Sequence, residues 1–133
     1  MAKPDASITF KLRDELVTYI EKTYGAKPEH LWERYPEYMV FRHKKVGTQQ
    51  GKWFCLIANV TYAQLGIKSE TDDVIFVAVV KSDPGEVSEL VKTPGFARGY
   101  HMNKETWLSV LLDGQIPMDR AKQFVDISYE LTR

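Results

Sequence analysis

The chain has 133 residues, of which 44% are apolar and 27% are charged. This length predicts one domain with its own core, and the composition argues against a disordered chain. The 18 basic and 18 acidic side chains give a formal charge of zero, which argues against a protein built mainly to bind polyanions. The one cysteine, Cys55, excludes an intrachain disulfide and a cysteine-rich zinc site.

The apolar runs and the first residues of the sequence indicate where in the cell the protein is expected. The longest apolar run, Val74–Val80, is too short to cross a membrane. The first residues, MAKPDAS, lack the apolar stretch of a secretion signal, which predicts a cytoplasmic protein without membrane contact. About residues 1–7 are expected to form a disordered tail.

The first predicted element is an amphipathic helix from Thr9. Apolar side chains recur along it every four residues, and Gly25 and Pro28 mark its end. The following connector, Glu29–Pro36, is rich in large side chains, so we expect it to dock on the core. The apolar positions of the helix are Leu12, Leu16, Ile20 and Tyr24.

Three strands are predicted next, at Tyr38–His43, Trp53–Thr61 and Val74–Lys81. The first two are joined by Lys44–Lys52, which carries the turn residues of a hairpin. The short links between neighbouring strands favour antiparallel pairing.

The second half of the chain adds two helices and two strands. Asp83-Pro84-Gly85-Glu86 predicts a helix start, and Pro94-Gly95 predicts the turn that follows this helix. Strands are predicted at Arg98–Met102 and Trp107–Leu112, and Pro117 opens the last helix. The order α-β-β-β-α-β-β-α predicts an α+β domain in two layers, with a five-stranded antiparallel sheet and flanking helices.

Two of the strands are apolar on both faces. Every residue of Val74–Val80 is apolar. Trp53–Ala58 is also apolar at both its odd-numbered and its even-numbered positions, which face opposite sides of a sheet. A sheet with one wet face should instead alternate apolar and polar residues. Two explanations remain open: loops such as Glu29–Pro36 cover the second face, or a ligand, a second copy or another protein does so.

The sequence offers little sign of catalysis. Cys55 lies in an apolar strand, where a free thiol is usually structural. The three histidines, His30, His43 and His101, lack the spacing of metal ligands on a helix. Glycine-rich phosphate-binding motifs are absent from the sequence. We therefore expect no catalytic residue, no metal and no cofactor.

Charge is distributed unevenly despite the zero total. Arg34–Lys52 holds five basic side chains against one acidic side chain, and Ser69–Leu90 holds six acidic against one basic. A second basic and aromatic segment is Arg98–Trp107. The basic hairpin could contact phosphates. Alternatively, its lysines only keep a hairpin loop solvated and discourage edge pairing.

One motif is long enough to identify a family. The run Gly99-Tyr100-His101-Met102-Asn103-Lys104-Glu105-Thr106-Trp107, followed by Asp113-Gly114, strongly resembles the MmcQ/YjbR family. Leu31-Trp32 before Tyr35-Pro36 supports the same resemblance. It implies a CyaY-like or frataxin-like fold, no established reaction, and a predicted DNA-binding double-wing motif. The iron binding of many frataxin-like proteins does not carry over, because the acidic residues Glu70, Asp72 and Asp73 are predicted in a loop.

The resulting expectation is a non-enzymatic protein that binds DNA weakly and in a salt-dependent manner. The expected nucleic-acid contacts are Arg42, His43, Lys44, Lys45, Lys52, Arg98 and Lys104. The first alternative is a protein-interaction or chaperone-like module that uses an apolar sheet face, as a homodimer or with a partner. The second is an enzyme that uses His101 and Asn103. The family motif is either a ligand site or a structural corner, in which Asn103 bonds to its own turn. Its residues are Gly99, Tyr100, His101, Met102, Asn103, Trp107, Asp113 and Gly114.

Overall fold

Five antiparallel strands and three helices make up the protein in a computed structural model that describes residues 6–133. The strands pair in the order β1-β2-β3-β5-β4, so β1 and β4 form the two edges of the sheet. The predicted α+β class is confirmed. The elements are α1 (Ala6–Tyr24), β1 (Met39–Arg42), β2 (Trp53–Thr61), β3 (Val74–Lys81), α2 (Pro84–Leu90), β4 (Phe96–Arg98), β5 (Trp107–Leu112) and α3 (Met118–Leu131), with a 3-10 turn at Ala63–Leu65.

Helix α1 ends as the sequence predicts and begins earlier. Leu16 and Ile20 are fully buried, and the chain leaves the helix at Gly25 with a φ of 66°. That left-handed conformation carries no steric penalty for glycine. The helix already begins at Ala6, and of the predicted tail, residues 1–5 lie outside the described part of the chain.

The bounds of three strands match the prediction, and one predicted strand is wrong. Strands β2, β3 and β5 have the expected bounds, and β1 is shorter than the expected strand by one residue at each end. The strand expected at Arg98–Met102 is instead β4, which ends at Arg98. The chain turns there because His101 adopts a left-handed φ of 61°, which no extended strand contains.

The sheet has a helix face and a loop face, and both are covered. On the helix face, α1, α2 and α3 bury side chains such as Phe41, Phe76 and Leu108. On the loop face, a second cluster that includes Val77 and Leu111 is covered by other loop and turn side chains. Loops therefore cover the second sheet face, as one of the two explanations expected. The covering side chains include Trp32, Leu65, Ile67, Tyr100 and Met102.

A bulge interrupts the pairing of β1 with β2 just before the basic hairpin loop. The register between β1 and β2 shifts between Phe41 and Arg42. The buried hydroxyl of Ser128 on α3 fixes this region, donating to the carbonyl oxygen of Phe54 at 2.6 Å. The same hydroxyl accepts a hydrogen bond from the backbone N–H of Lys81 at 2.8 Å. The hairpin is thus tied to the C-terminal helix.

Cys55 lies within the helix-face core and is completely buried. Burial raises the pKa of the Cys55 thiol, because the core disfavours the charged thiolate. This environment is that of a structural thiol. Across residues 6–133, no helix has the length and apolar character needed to cross a bilayer.

Candidate nucleic-acid interface

A basic cleft of about 270 Å³ opens at the end of β1. Three pieces of chain surround it: the end of α1 with the residues after it, the end of β1 with both ends of the hairpin loop, and the last turn of α3. An isolated bridge between Glu29 and Val40 brings the first two together. The residues that line this basic cleft are Tyr24, Gly25, Ala26, Lys27, Glu29, Arg42, His43, Lys44, Lys45, Gln50, Gly51 and Tyr129.

The lysines of the basic cleft are available for a ligand. Lys27, Lys44 and Lys45 are exposed, and none forms an ion pair with another residue in the described range 6–133. Glu29 is the one acidic residue of the lining. Its carboxylate pairs with the guanidinium of Arg42 at 2.8 Å, which leaves the lysines as the uncompensated charge.

Arg42 lines the cleft, and Lys52 lies close to it through the backbone pairing with His43. The guanidinium of Arg42 lies 5.6 Å from the ring centre of Trp53, within the range of a cation–π contact. Lys52 is exposed, and its carbonyl oxygen accepts from the backbone N–H of His43 at 2.9 Å. The structure therefore brings Arg42, Lys44 and Lys45 into one lining, with Lys52 beside them, one residue before β2 begins.

His43 lines the cleft, and its ring is held against the C-terminal end of the chain. Its ring packs 4.2 Å from the ring centre of Tyr129, and its Nε2 hydrogen-bonds to the Oγ1 of Thr132 at 2.7 Å. Desolvation by burial lowers the pKa of His43, and the nearby cations Arg133 and Lys52 lower it further. A bond to the backbone of Tyr129 and the charge of Glu130 act in the opposite direction. His43 is thus neutral at neutral pH and brings no charge to a phosphate.

The burial of His43 predicts a measurable pH dependence of stability. Its pKa in the fold lies below the ordinary value of 6.5, so below that pH the unfolded chain binds the proton more readily. The free energy of unfolding therefore has its full value above about pH 6.5, and it decreases as the pH falls through the pKa of His43 in the folded protein. In thermal melts at about pH 7.5 and about pH 5.5, His43→Gln should lose less stability on acidification than the parent. Equal losses of stability on acidification in the parent and in His43→Gln would show that the pKa of His43 is not lowered by folding.

Arg98 and Lys104 lie at the opposite edge of the sheet and serve the fold locally. An Nη1 of Arg98 donates to the carbonyl oxygen of Lys104 at 2.8 Å. The Nζ of Lys104 donates to the carbonyl oxygen of Gly99 at 2.6 Å. Both side chains border a second cleft of about 420 Å³, which otherwise presents residues such as Leu65, Ile67 and Phe96.

The two basic segments do not share one cleft. Strands β1 and β4 are separated by three strands, and both end at the same end of the sheet. Four strand spacings of about 4.8 Å place the two edges roughly 19 Å apart. Arg98 and Lys104 are therefore not part of the basic cleft.

The family motif forms a densely bonded corner between β4 and β5. The Oδ1 of Asn103 accepts from the backbone N–H groups of Glu105 and Thr106, at 2.9 and 3.1 Å. The expected bonding of Asn103 to its own turn is confirmed. The backbone N–H of Gly99 donates to the carbonyl oxygen of Trp107 at 2.8 Å, which closes the corner.

The remaining motif residues also have structural contacts. Tyr100 and Met102 pack on the loop face, and Trp107 is buried there. His101 is exposed, and it lines neither of the two clefts. At the next turn, the carboxylate of Asp113 accepts from the hydroxyl of Tyr62 at 2.7 Å, and Gly114 has a φ of 97°.

The acidic segment forms no metal site. Glu70, Asp72 and Asp73 lie between the 3-10 turn and β3, outside any helix, as expected. Among residues 6–133, no group of three or more metal-ligating side chains is close enough to hold an ion.

Sequence reasoning missed two features of this interface. Lys27 lies 15 positions before Arg42 in the chain, and only the bridge from Glu29 to Val40 brings it to the cleft. The ring of Trp53 beside Arg42 is expected from the sequence only as part of a strand, and Trp32, which contacts Trp53, only as part of a connector docked on the core. The accumulation of large aromatic residues in Glu29–Pro36 was the available signal for the second feature.

Comparison with known proteins gives consistent results. The family model described as YjbR matches residues 21–131. A Bacillus subtilis (strain 168) protein named "Uncharacterized protein YyaQ" is 31% identical over 121 residues, covering 91% of this chain and 98% of the relative. A crystal structure of a Pseudomonas syringae protein, 36% identical, superposes with a TM-score of 0.82 over 91% of this chain and 98% of that one. A Deinococcus radiodurans protein, 20% identical, shares the fold with a TM-score of 0.64 over 97% of this chain and 81% of that one.

Proposed function

The chain belongs to the YjbR family, and we propose that it is a non-enzymatic protein that binds nucleic acid weakly through the basic cleft. The phosphates contact Lys27, Lys44, Lys45 and Lys52, with Arg42 at the border of the cleft. Affinity comes mainly from these charges, so it depends on salt and only slightly on base sequence.

The observation that carries the proposal is the set of uncompensated lysines around one concave surface. Three exposed lysines share the cleft with one carboxylate, and Arg42 already neutralises that carboxylate. A merely solvated hairpin loop would not need Lys27, which comes from a different part of the chain. Cations converging on a cleft from separate segments are typical of a phosphate-binding surface.

The two alternative functions have less support in the described residues. An apolar sheet face available for a partner requires exposed side chains, whereas Val77 and Val79 are fully buried. An enzyme that uses His101 and Asn103 requires both groups to face a substrate. Asn103 is engaged with the backbone of its own turn, and His101 lies outside both clefts.

A salt titration with a charge-reversal variant tests the proposal. Fluorescence anisotropy of a labelled duplex should show binding at low salt, with a log–log slope of about −0.9 per phosphate contact. The double variant Lys44→Glu/Lys45→Glu should weaken binding about tenfold or more and reduce the magnitude of the slope by about 2.

The matched control reverses two exposed lysines away from the cleft, Lys11→Glu/Lys68→Glu. Lys11 lies thirteen residues before Tyr24 on α1, about 20 Å along the helix axis. Lys68 follows β2, at the end of the sheet opposite the hairpin loop. The control has the same net charge change and should bind much like the parent. Equal weakening by both variants, or no binding of any nucleic acid at low salt, would refute the proposed interface.

A further inference from the structure

An aromatic strip crosses the loop face beside the basic cleft. It consists of Trp53, Trp32, Tyr38 and Tyr35. Neighbouring ring centres are 5.8 Å apart for Trp53 and Trp32, 5.6 Å for Trp32 and Tyr38, and 4.8 Å for Tyr38 and Tyr35. The rings come from β2 and from the connector before β1, so the fold assembles the strip from two segments.

Tyr35 ends the strip with one ring face available. Its ring stacks on Tyr38 at an interplanar angle of 16°. Tyr38 is 2% exposed, whereas Tyr35 is 47% exposed. One face of the Tyr35 ring is therefore covered by Tyr38, and the opposite face is open to solvent. Because the ring of Tyr35 is held by stacking on Tyr38, it is a suitable platform on which another aromatic ring can stack.

Arg42 joins the aromatic strip to the basic cleft. Its guanidinium lines the cleft and also lies against the ring of Trp53. Glu29 pairs with Arg42, and Glu37 pairs with Arg13, which also pairs with Asp14. Glu33, in the same connector, forms no ion pair among residues 6–133. A chain of side-chain contacts through Arg42 and the aromatic strip thus connects the cleft to the exposed ring of Tyr35.

We infer that the ligand of this surface is single-stranded nucleic acid, with phosphates on the cleft lysines and a base stacked on Tyr35. This inference rests on the proposed function. In a duplex the faces of the bases are already stacked on one another, so an aromatic platform has nothing to bind. In a single strand the base faces are free, and stacking on protein aromatic rings tolerates any base.

The test compares single strands and duplexes of roughly 12 nucleotides at fixed low salt. Dissociation constants are measured for the parent, Tyr35→Ala and Tyr35→Phe. Tyr35→Ala should weaken single-strand binding by roughly 5- to 150-fold and leave duplex binding unchanged, because one base loses its platform. Tyr35→Phe keeps the ring and should bind like the parent. Single-strand binding should also quench tryptophan fluorescence, since Trp32 and Trp53 lie in the strip.

The outcomes separate this inference from the proposed function. Thermal melting first confirms that the Tyr35 variants fold, as expected for an exposed side chain. If Lys44→Glu/Lys45→Glu weakens both nucleic-acid forms while Tyr35→Ala changes neither, the basic cleft stands and the single-strand inference is wrong. Duplex binding as tight as single-strand binding would also overturn it. If neither form binds at low salt, the proposed function itself fails.

Discussion

Replacing Val77 by glutamate should unfold the protein rather than release a partner. Val77 is fully buried in the loop-face cluster, and its neighbours across β2 and β5 are Ala58 and Leu111. A carboxylate there would have no cation or hydrogen-bond donor designed to receive it, so we expect a loss of at least about 3 kcal/mol. Phe76→Glu, on the helix face, also removes a buried ring, but it should be less damaging, because the guanidinium of Arg13 lies 4.6 Å from the centre of that ring and can pair with the new carboxylate. Thermal and denaturant melts measure both losses.

Val74 provides the matched control on the same strand. Its side chain is 50% exposed, so Val74→Glu introduces the same charge at the cost of little buried surface. Its effect should stay within about 0.5 kcal/mol. A sheet face used for dimerisation would behave differently: sedimentation would show a dimeric parent, and Val77→Glu would yield a folded monomer. That result would revive the chaperone-like alternative.

Gly99→Ala should cause the second large loss of stability. A methyl group at Gly99 would lie 2.5 Å from the Cβ of Trp107 and 2.9 Å from its carbonyl carbon. Both atoms belong to a strand fixed by its neighbours, so the corner between β4 and β5 must open to admit the group. We expect a loss of about 3 kcal/mol and a fall in Tm of roughly 10 °C.

Gly85→Ala is the control for this substitution. Its added methyl group would meet only one side-chain oxygen of Asp83, at 3.1 Å, at the start of α2, and no backbone atom. The change in stability should be below about 1 kcal/mol. If Gly99→Ala is as mild as this control, the close approach to Trp107 is not what requires glycine there. The motif would then need a different explanation.

The regular strands could be predicted because their apolar runs end abruptly in turn residues. Val74–Lys81 is bounded by Asp73 and by Ser82, and the structure begins and ends β3 there. The strand expected at Arg98–Met102 was wrong because alternation alone cannot show that His101 adopts a positive φ. Nor does the pattern of apolar residues show that loops supply the second layer over the sheet.

The candidate site could be predicted only in part, for a geometric reason. The cluster of lysines in the hairpin is visible in the sequence, and Lys44 and Lys45 do share a cleft. The register of β1 against β2 shifts between Phe41 and Arg42, where the strand leads into the hairpin loop, and a bulge leaves no clear trace in composition. The separation of Arg98 from Arg42 depends on strand order, which only the folded sheet reveals.

The link between the hairpin and the C-terminal helix has a practical consequence for protein production. Thr132 is buried and its Oγ1 hydrogen-bonds to the ring of His43, so the residues that follow α3 lie beside the basic cleft. A polyhistidine tag fused after Arg133 would place titratable, metal-binding side chains at the surface under study. Helix α1 runs towards the cleft over 19 residues, about 28 Å, so its start is the remote end. Binding measurements therefore call for a tag that precedes the chain and is removed.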